Sequence, residues 1–244
     1  MQPFSRVGAS KWEIFSAMTT LSATTRLRSF DLPHKGLRNL LAQLNQLAGN
    51  IDFSDHEQVD RLERTGKHLF QLLTEHAHIE DEYVLKDLEQ RCPGSSLQNA
   101  HEHEIITEQQ AGLEALLEEL IRCARLGEEV GQLAEQFYLS VNHFHSAYLQ
   151  HMLEEEEVTQ KQIWKYFSEA ELMDMHGQIA RKMAPESTLL WFRYSAPAMK
   201  PQGRLQWLLG VKAAAPAPFF EQVLAVLEDV LPEKAYQQLT AGLN

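Results

Sequence analysis

Two histidine-carboxylate pairs, His76 with Glu80 and His151 with Glu155, recur in matching acidic settings, EHAHIEDEYV at 75–84 and QHMLEEEEVT at 150–159. Residues four apart on a helix emerge from one face a turn apart, so each pair can grip one ion or share a bridged pair of ions. Each pair is preceded by a further histidine that heads an apolar periodic run. His34 opens HKGLRNLL, with Leu37, Leu40, Leu41 and Leu44 behind it, and His103 opens HEIITEQQAGL, with Ile106 and Leu113 behind it. The intervals from His34 to His76 and from His103 to His151 are similar, which reads as two helical hairpins related by a pseudo-repeat. Four helices would then aim four imidazoles and two carboxylates at one point.

Imidazole with carboxylate and no cysteine is a donor set for iron, manganese or zinc. Two bridging carboxylates with two histidines per ion suit a dinuclear centre with room for a small oxidant. Ferritin-type bundles instead use Glu-x-x-His with further glutamates, and the order His then Glu at four disfavours that class. The remaining histidines carry weaker signals. His56, His68 and His176 read as surface or incidental groups. His78 and His101 lie two positions from proposed ligands and so point off the shared face. His143 and His145 also sit off the face of His151, though any of these last four is a possible further ligand or outer-sphere donor. Of the acidic runs 80–82 and 154–157, only Glu80 and Glu155 have the ligand register; the rest read as a solvated face.

These side chains require long helices to position them. Asp31-Leu-Pro33 marks a start, and the periodicity predicts helices over about 34–48, 59–90, 97–126 and 130–166, separated by Gly49-Asn50, the break Cys92-Pro-Gly-Ser-Ser96, and Gly127. Ser168-Glu-Ala-Glu171 is a capping box that opens a fifth helix toward Ala184. Beyond Pro185, prolines punctuate a smaller helical lobe whose Trp191, Phe192, Trp207, Phe219 and Phe220 read as packing groups. The expected fold is all-α, an up-down-up-down four-helix bundle over 31–168 with an N-terminal arm at 1–30 and a C-terminal helical extension at 169–244. Met18 is an alternative start within that arm.

The chain has 244 residues, 44% of them hydrophobic, and a net charge of -12, with no basic cluster for nucleic acid to neutralise. Cys92 and Cys123 form no disulfide framework or zinc knuckle and read as buried or idle thiols. No apolar run is long enough to span a membrane, and MQPFSRVGASKWEIF lacks the apolar core of a signal peptide, so the cytoplasm is the expected compartment.

The opening PHKGLRNLL, the HxHIEDEYV helix followed by a Pro-Gly turn, the EHEII helix and YLQHMLEEEE together resemble the hemerythrin-like, or HHE cation-binding, family over about residues 32–168. The stretches FRYSAPAMKP and FFEQVLAVLEDVLP are similar to the helical tail of bacterial members. The resemblance implies a four-helix bundle around a non-haem di-iron centre, oxo- or hydroxo-bridged, with His34, His76, Glu80, His103, His151 and Glu155 as ligands and the glutamates bridging. Zinc or manganese are possible substitutes for the two irons. The implied ligand is dioxygen, nitric oxide or peroxide. Oxygen-carrying members place two histidines four apart on the third helix, whereas His101 and His103 here are two apart. Alternative expectations are a di-iron enzyme acting on peroxide or nitric oxide or supplying iron for iron-sulfur repair, with Tyr148 as a redox neighbour, and an interaction module with a structural metal. A protein partner or homo-oligomer would then dock through 186–244.

Overall fold

The computed structural model describes residues 26–243, so the first 25 residues of the expected arm, Met18 among them, lie outside the described residues. Everything regular among the described residues is helical. Two compact units emerge, one of residues 30–166 and the other of 167–243 with the segment 26–29.

In the first unit, α1 (Asp31–Asn50) carries the leucines expected from its spacing: Leu37, Leu40, Leu41 and Leu44 are all buried. Helix α2 (His56–Ile79) starts under a cap, because the Asp55 carboxylate accepts from the backbone N–H of Glu57 and Gln58. The expected single helix over 59–90 is interrupted. A π-helical segment, π1 (Glu80–Leu85), intervenes before α3 (Lys86–Arg91). Then comes the Pro93-Gly94 turn, where Gly94 has a φ of 88° and the Glu89 carboxylate accepts from the N–H of Gly94 and Ser96 and from the Ser96 hydroxyl. Helix α4 (Leu97–Arg125) ends in a Schellman motif. Gly127 adopts a φ of 71°, its N–H donates to Ala124, and the Glu128 N–H donates to Cys123.

The fourth run repeats the pattern of the second. Helix α5 (Gly131–Glu154) passes into a π-segment, π2 (Glu155–Thr159), and on into α6 (Gln160–Tyr166). Helix α1 packs on α2 and α5, and α4 packs on the same two. That closed circuit of neighbours encloses a leucine core and a cage of polar side chains. At Gly66 on α2, an added Cβ would lie 2.3 Å from Leu117 Cδ2 on α4.

The second unit opens with α7 (Glu169–Lys182), and the capping box is present: the Ser168 hydroxyl accepts from the Glu171 N–H while the Glu171 carboxylate accepts from the Ser168 backbone N–H. Four further helices follow, α8 (Pro185–Ala198), α9 (Pro201–Ala214), α10 (Ala217–Val230) and α11 (Glu233–Ala241). Proline at the start of three of them suits a position whose N–H has no helical partner. Trp191, Phe192 and Trp207 are buried, with Phe192 stacked on Trp207 at 4.0 Å, while Phe219 and Phe220 are half-exposed. His176 departs from its expected surface role, being buried on α7, and burial pushes its imidazole down to about 4.

Candidate metal centre

Six side chains meet inside the first unit: His34 from α1, His76 from α2, Glu80 at the start of π1, His103 from α4, His151 from α5 and Glu155 at the start of π2. All six are buried, His34 and Glu155 completely. They form two overlapping groups able to hold an ion, His34, His76, Glu80 and Glu155 on one side and Glu80, His103, His151 and Glu155 on the other, with ligand atoms in each group within 4.8 Å of one another. The glutamates are common to both groups. Within the cage, His76 Nε2 lies 3.1 Å from Glu80 Oε1, His34 Nε2 lies 3.3 Å from Glu155 Oε2, and His151 Nε2 lies 3.4 Å from Glu155 Oε2. His103 Nε2 sits 3.6 Å from Glu80 and 3.7 Å from Glu155.

The chemistry of this donor set fits cations. Both oxygens of Glu80, Oε2 of Glu155, and Nε2 of His103 and His151 are buried without a hydrogen-bond partner. Burying carboxylate oxygens with nothing to donate to them is costly, and a positive ion placed among them would satisfy all five atoms together.

The outer nitrogens explain how the rings are aimed. His34 Nδ1 is 2.8 Å from Glu156, which is itself held by Arg38 at 2.6 Å; His103 Nδ1 is 2.8 Å from Asp81; His151 Nδ1 is 2.9 Å from Glu102. An outer carboxylate accepting from Nδ1–H fixes the tautomer and turns Nε2 inward. Asp81 and Glu156 thus correct the expectation that the acidic runs beyond Glu80 and Glu155 are merely a solvated face. Each of the three outer acids adjoins a cage residue in sequence yet serves a histidine on another helix. That adjacency, Glu80-Asp81, Glu102-His103 and Glu155-Glu156, is the one signal the sequence carries for them. The π-segments, which begin at the two cage glutamates, have no signal in the periodicity; π-turns of this kind concentrate at functional sites.

Protons balance the charge of the cage's own residues. Burial alone would lower His34, but the nearby carboxylates of Glu155, Glu156 and Glu80 raise it to about 10. His103 is raised to about 11 in the same way, its burial outweighed by Glu155 and Glu80. His76 has burial as the larger influence and falls to about 4. Burial and mutual repulsion push Glu80 and Glu155 up, yet the surrounding imidazoles hold both below the usual carboxylate range, Glu155 well below it. Two imidazolium ions therefore face two carboxylates, and the His34 Nε2–H is also 3.1 Å from neutral His76 Nε2.

Three further polar residues line the cage, and ligand spacing marks none of them. Asn99 Nδ2 donates to Glu155 Oε1 over 3.4 Å, and Thr159 Oγ1 donates to Asn99 Oδ1 over 3.2 Å. Tyr148 is buried with its ring 5.6 Å from that of His151, and burial together with Glu80 and Glu155 keeps its phenol protonated well above the ordinary range. His78, His101 and His143 are exposed and His145 is half-buried, and the two cage groups contain none of them.

Comparisons with known proteins fall on the same stretch of the chain. The family model described as Hemerythrin HHE cation binding domain matches residues 25–163. Among curated proteins, the chain is 27% identical over 150 residues to F-box/LRR-repeat protein 5 of Salmo salar, covering 62% of this chain and 21% of that protein. The Mus musculus protein of the same name is 26% identical over 150 residues, with the same coverage, and that of Xenopus tropicalis is 28% identical over 152 residues, covering 62% of this chain and 22% of that one. The chain thus spans about a fifth of the length of these relatives. No solved structure matches.

Proposed function

The chain belongs to the hemerythrin HHE cation-binding domain family, and from that premise we propose that residues 30–166 are an up-down-up-down four-helix bundle holding two iron ions and binding or sensing a small oxidant: dioxygen, nitric oxide or peroxide. The observation that carries the reading is the pair of overlapping donor groups sharing Glu80 and Glu155, with five buried donor atoms left without partners. His34 and His76 would hold one ion, His103 and His151 the other, and the two glutamates would bridge them. Bound iron supplies a redox-active pair able to take up a small oxidant, which zinc in the same donors does not.

The protein's own residues do the rest. Glu156, Asp81 and Glu102 hold three imidazoles with Nε2 inward, Arg38 anchors Glu156, and the leucine core excludes bulk water. Loading ions displaces the protons on His34 and His103, so uptake and proton release are coupled. Reconstitution with ferrous iron in air, followed by metal analysis and a visible absorption spectrum, tests the reading. Two irons per chain with near-ultraviolet ferric absorption is the expected result, and less than one iron with no other transition metal overturns it.

A second reading, turnover of peroxide or nitric oxide, is favoured by one observation, the protonated Tyr148 phenol buried beside His151. Consumption of either molecule by the iron-loaded chain, beyond one equivalent per centre, separates turnover from binding.

No helix among the described residues is long and apolar enough to cross a membrane.

A further inference from the structure

All six donors of the cage are buried, so a cation reaches them only where a side chain gives way. At three places an acidic residue stands behind a cage histidine and is itself in reach of solvent: Glu156 behind His34, Glu102 behind His151 and Asp81 behind His103. Their side chains are 20%, 24% and 48% exposed.

The three walls are not equally closed. At Glu156 the Arg38 guanidinium donates to both carboxylate oxygens, over 2.6 and 3.2 Å, and one of them also faces His34 Nδ1. A cation would meet a fixed positive charge there, and His34 behind it is wholly buried with Phe30 stacked on its ring at 5.3 Å. At Glu102, Oε2 faces His151 Nδ1 and Oε1 accepts from the Gln98 amide over 2.6 Å, so both oxygens are engaged. At Asp81, Oδ1 faces His103 Nδ1 over 2.8 Å, while Oδ2 has no hydrogen bond or ion pair among the described residues. Its partner His103 is the most exposed of the six cage residues, at 7%. His103 Nε2 is buried without a hydrogen-bond partner and lies 3.6 Å from Glu80, which both donor groups share and which Asp81 directly follows in the chain. A half-exposed carboxylate with an uncommitted oxygen, a histidine in contact with it and a shared glutamate thus follow one another from the surface inward.

We propose that cations enter the cage at Asp81: its Oδ2 makes the first contact with the arriving ion, and His103 is the ligand that moves aside to pass it to Glu80, while the Arg38–Glu156 wall stays shut. The cargo is a divalent transition-metal cation, which carboxylate oxygen and imidazole nitrogen both accept. Asp81 and Glu102 each orient one histidine, and only Asp81 also sets the rate of loading. This rests on the dinuclear reading of the cage.

The test follows cobalt(II) uptake by the full metal-free chain in stopped flow, read from the visible absorption of the coordinated ion, at concentrations where uptake is first order in metal. Asp81→Asn keeps the side-chain shape and an acceptor oxygen and removes the charge. It should still take up two ions in excess metal, with a rate constant about fivefold or more below the parent's, the scale of one unit charge about 4 Å from the ion in water. Glu102→Gln, the same loss where both oxygens are engaged, should load within about twofold of the parent. Both changes weaken equilibrium affinity through the histidine that each acid orients, so the rate separates entry from orientation. Asp81→Glu, which restores the charge, should bring the rate back toward the parent's. The parent rate should fall as salt rises from about 0.01 to about 0.15 M, because salt screens an exposed carboxylate. Loading of Asp81→Asn at the parent rate or faster overturns the proposal and leaves the dinuclear reading standing, as does equal slowing in Glu102→Gln. Should Asp81→Asn not fold, a parent rate that salt leaves unchanged overturns it as well. A parent chain that binds no cobalt removes both.

Discussion

Metal uptake by the cage should expel about two protons for each pair of ions at neutral pH, because two histidines must give up a proton before they can coordinate. The free imidazole value alone would place this competition near pH 6. The carboxylates move it. With His34 held at about 10 and His103 at about 11, both remain protonated through neutrality, while His76, at about 4, is already free to bind. Above the unfolded histidine value and below about pH 10, each displaced proton makes binding of its ion about tenfold tighter per pH unit, or about 1.4 kcal/mol. The metal-free protein should respond oppositely. A histidine raised above its unfolded value contributes stability that is fully present below about pH 6.5 and is lost as pH rises through the folded values. Stability of the apo chain should therefore decline from about pH 6.5 upward, while metal affinity climbs over the same range. Glu80 and Glu155, both lowered, contribute stability above the ordinary carboxylate range that is lost as pH falls through their folded values. Titration calorimetry with a divalent ion at about pH 8, repeated in buffers of different ionisation enthalpy, counts the protons. Fewer than about one proton released per filled pair would refute a cage in which two imidazolium ions balance two carboxylates.

Other consequences are open to direct measurement. Glu156→Gln removes the charge that orients His34 and should weaken metal binding about 10–100-fold by chelator competition; an unchanged affinity would deny Glu156 that role. His151→Ala should strip metal from the cage, whereas His176→Ala, made in the other unit, should leave metal content intact and register only as lost stability of about 1–3 kcal/mol. Equal metal retention in the two would contradict the ligand assignment. Gly66→Ala places a methyl 2.3 Å from Leu117 Cδ2, so α2 or the leucine must shift, at about 1–3 kcal/mol in urea unfolding. Wild-type stability in that variant would mean the two helices do not approach so closely.

Much of the centre was legible because its information is local. A histidine and a glutamate four apart on a helix share a face whatever lies around them, so the His76–Glu80 and His151–Glu155 pairs, and the histidines heading α1 and α4, could be read from spacing alone. The same holds for the Ser168–Glu171 capping box and the glycine stop at Gly127, each a contact between residues close in sequence. Tertiary structure decided what crosses between helices. No spacing reveals that Glu156 serves His34, that Asp81 serves His103, or that Glu102 serves His151, since each link joins side chains whose separation in sequence says nothing about their separation in space. The π-turns at Glu80 and Glu155 belong to the same class: a wider turn costs hydrogen-bond geometry, and only the demand of the assembled cage makes it the favoured state. His176 has the look of a surface residue because polarity predicts exposure only on average, and packing around α7 overrides it.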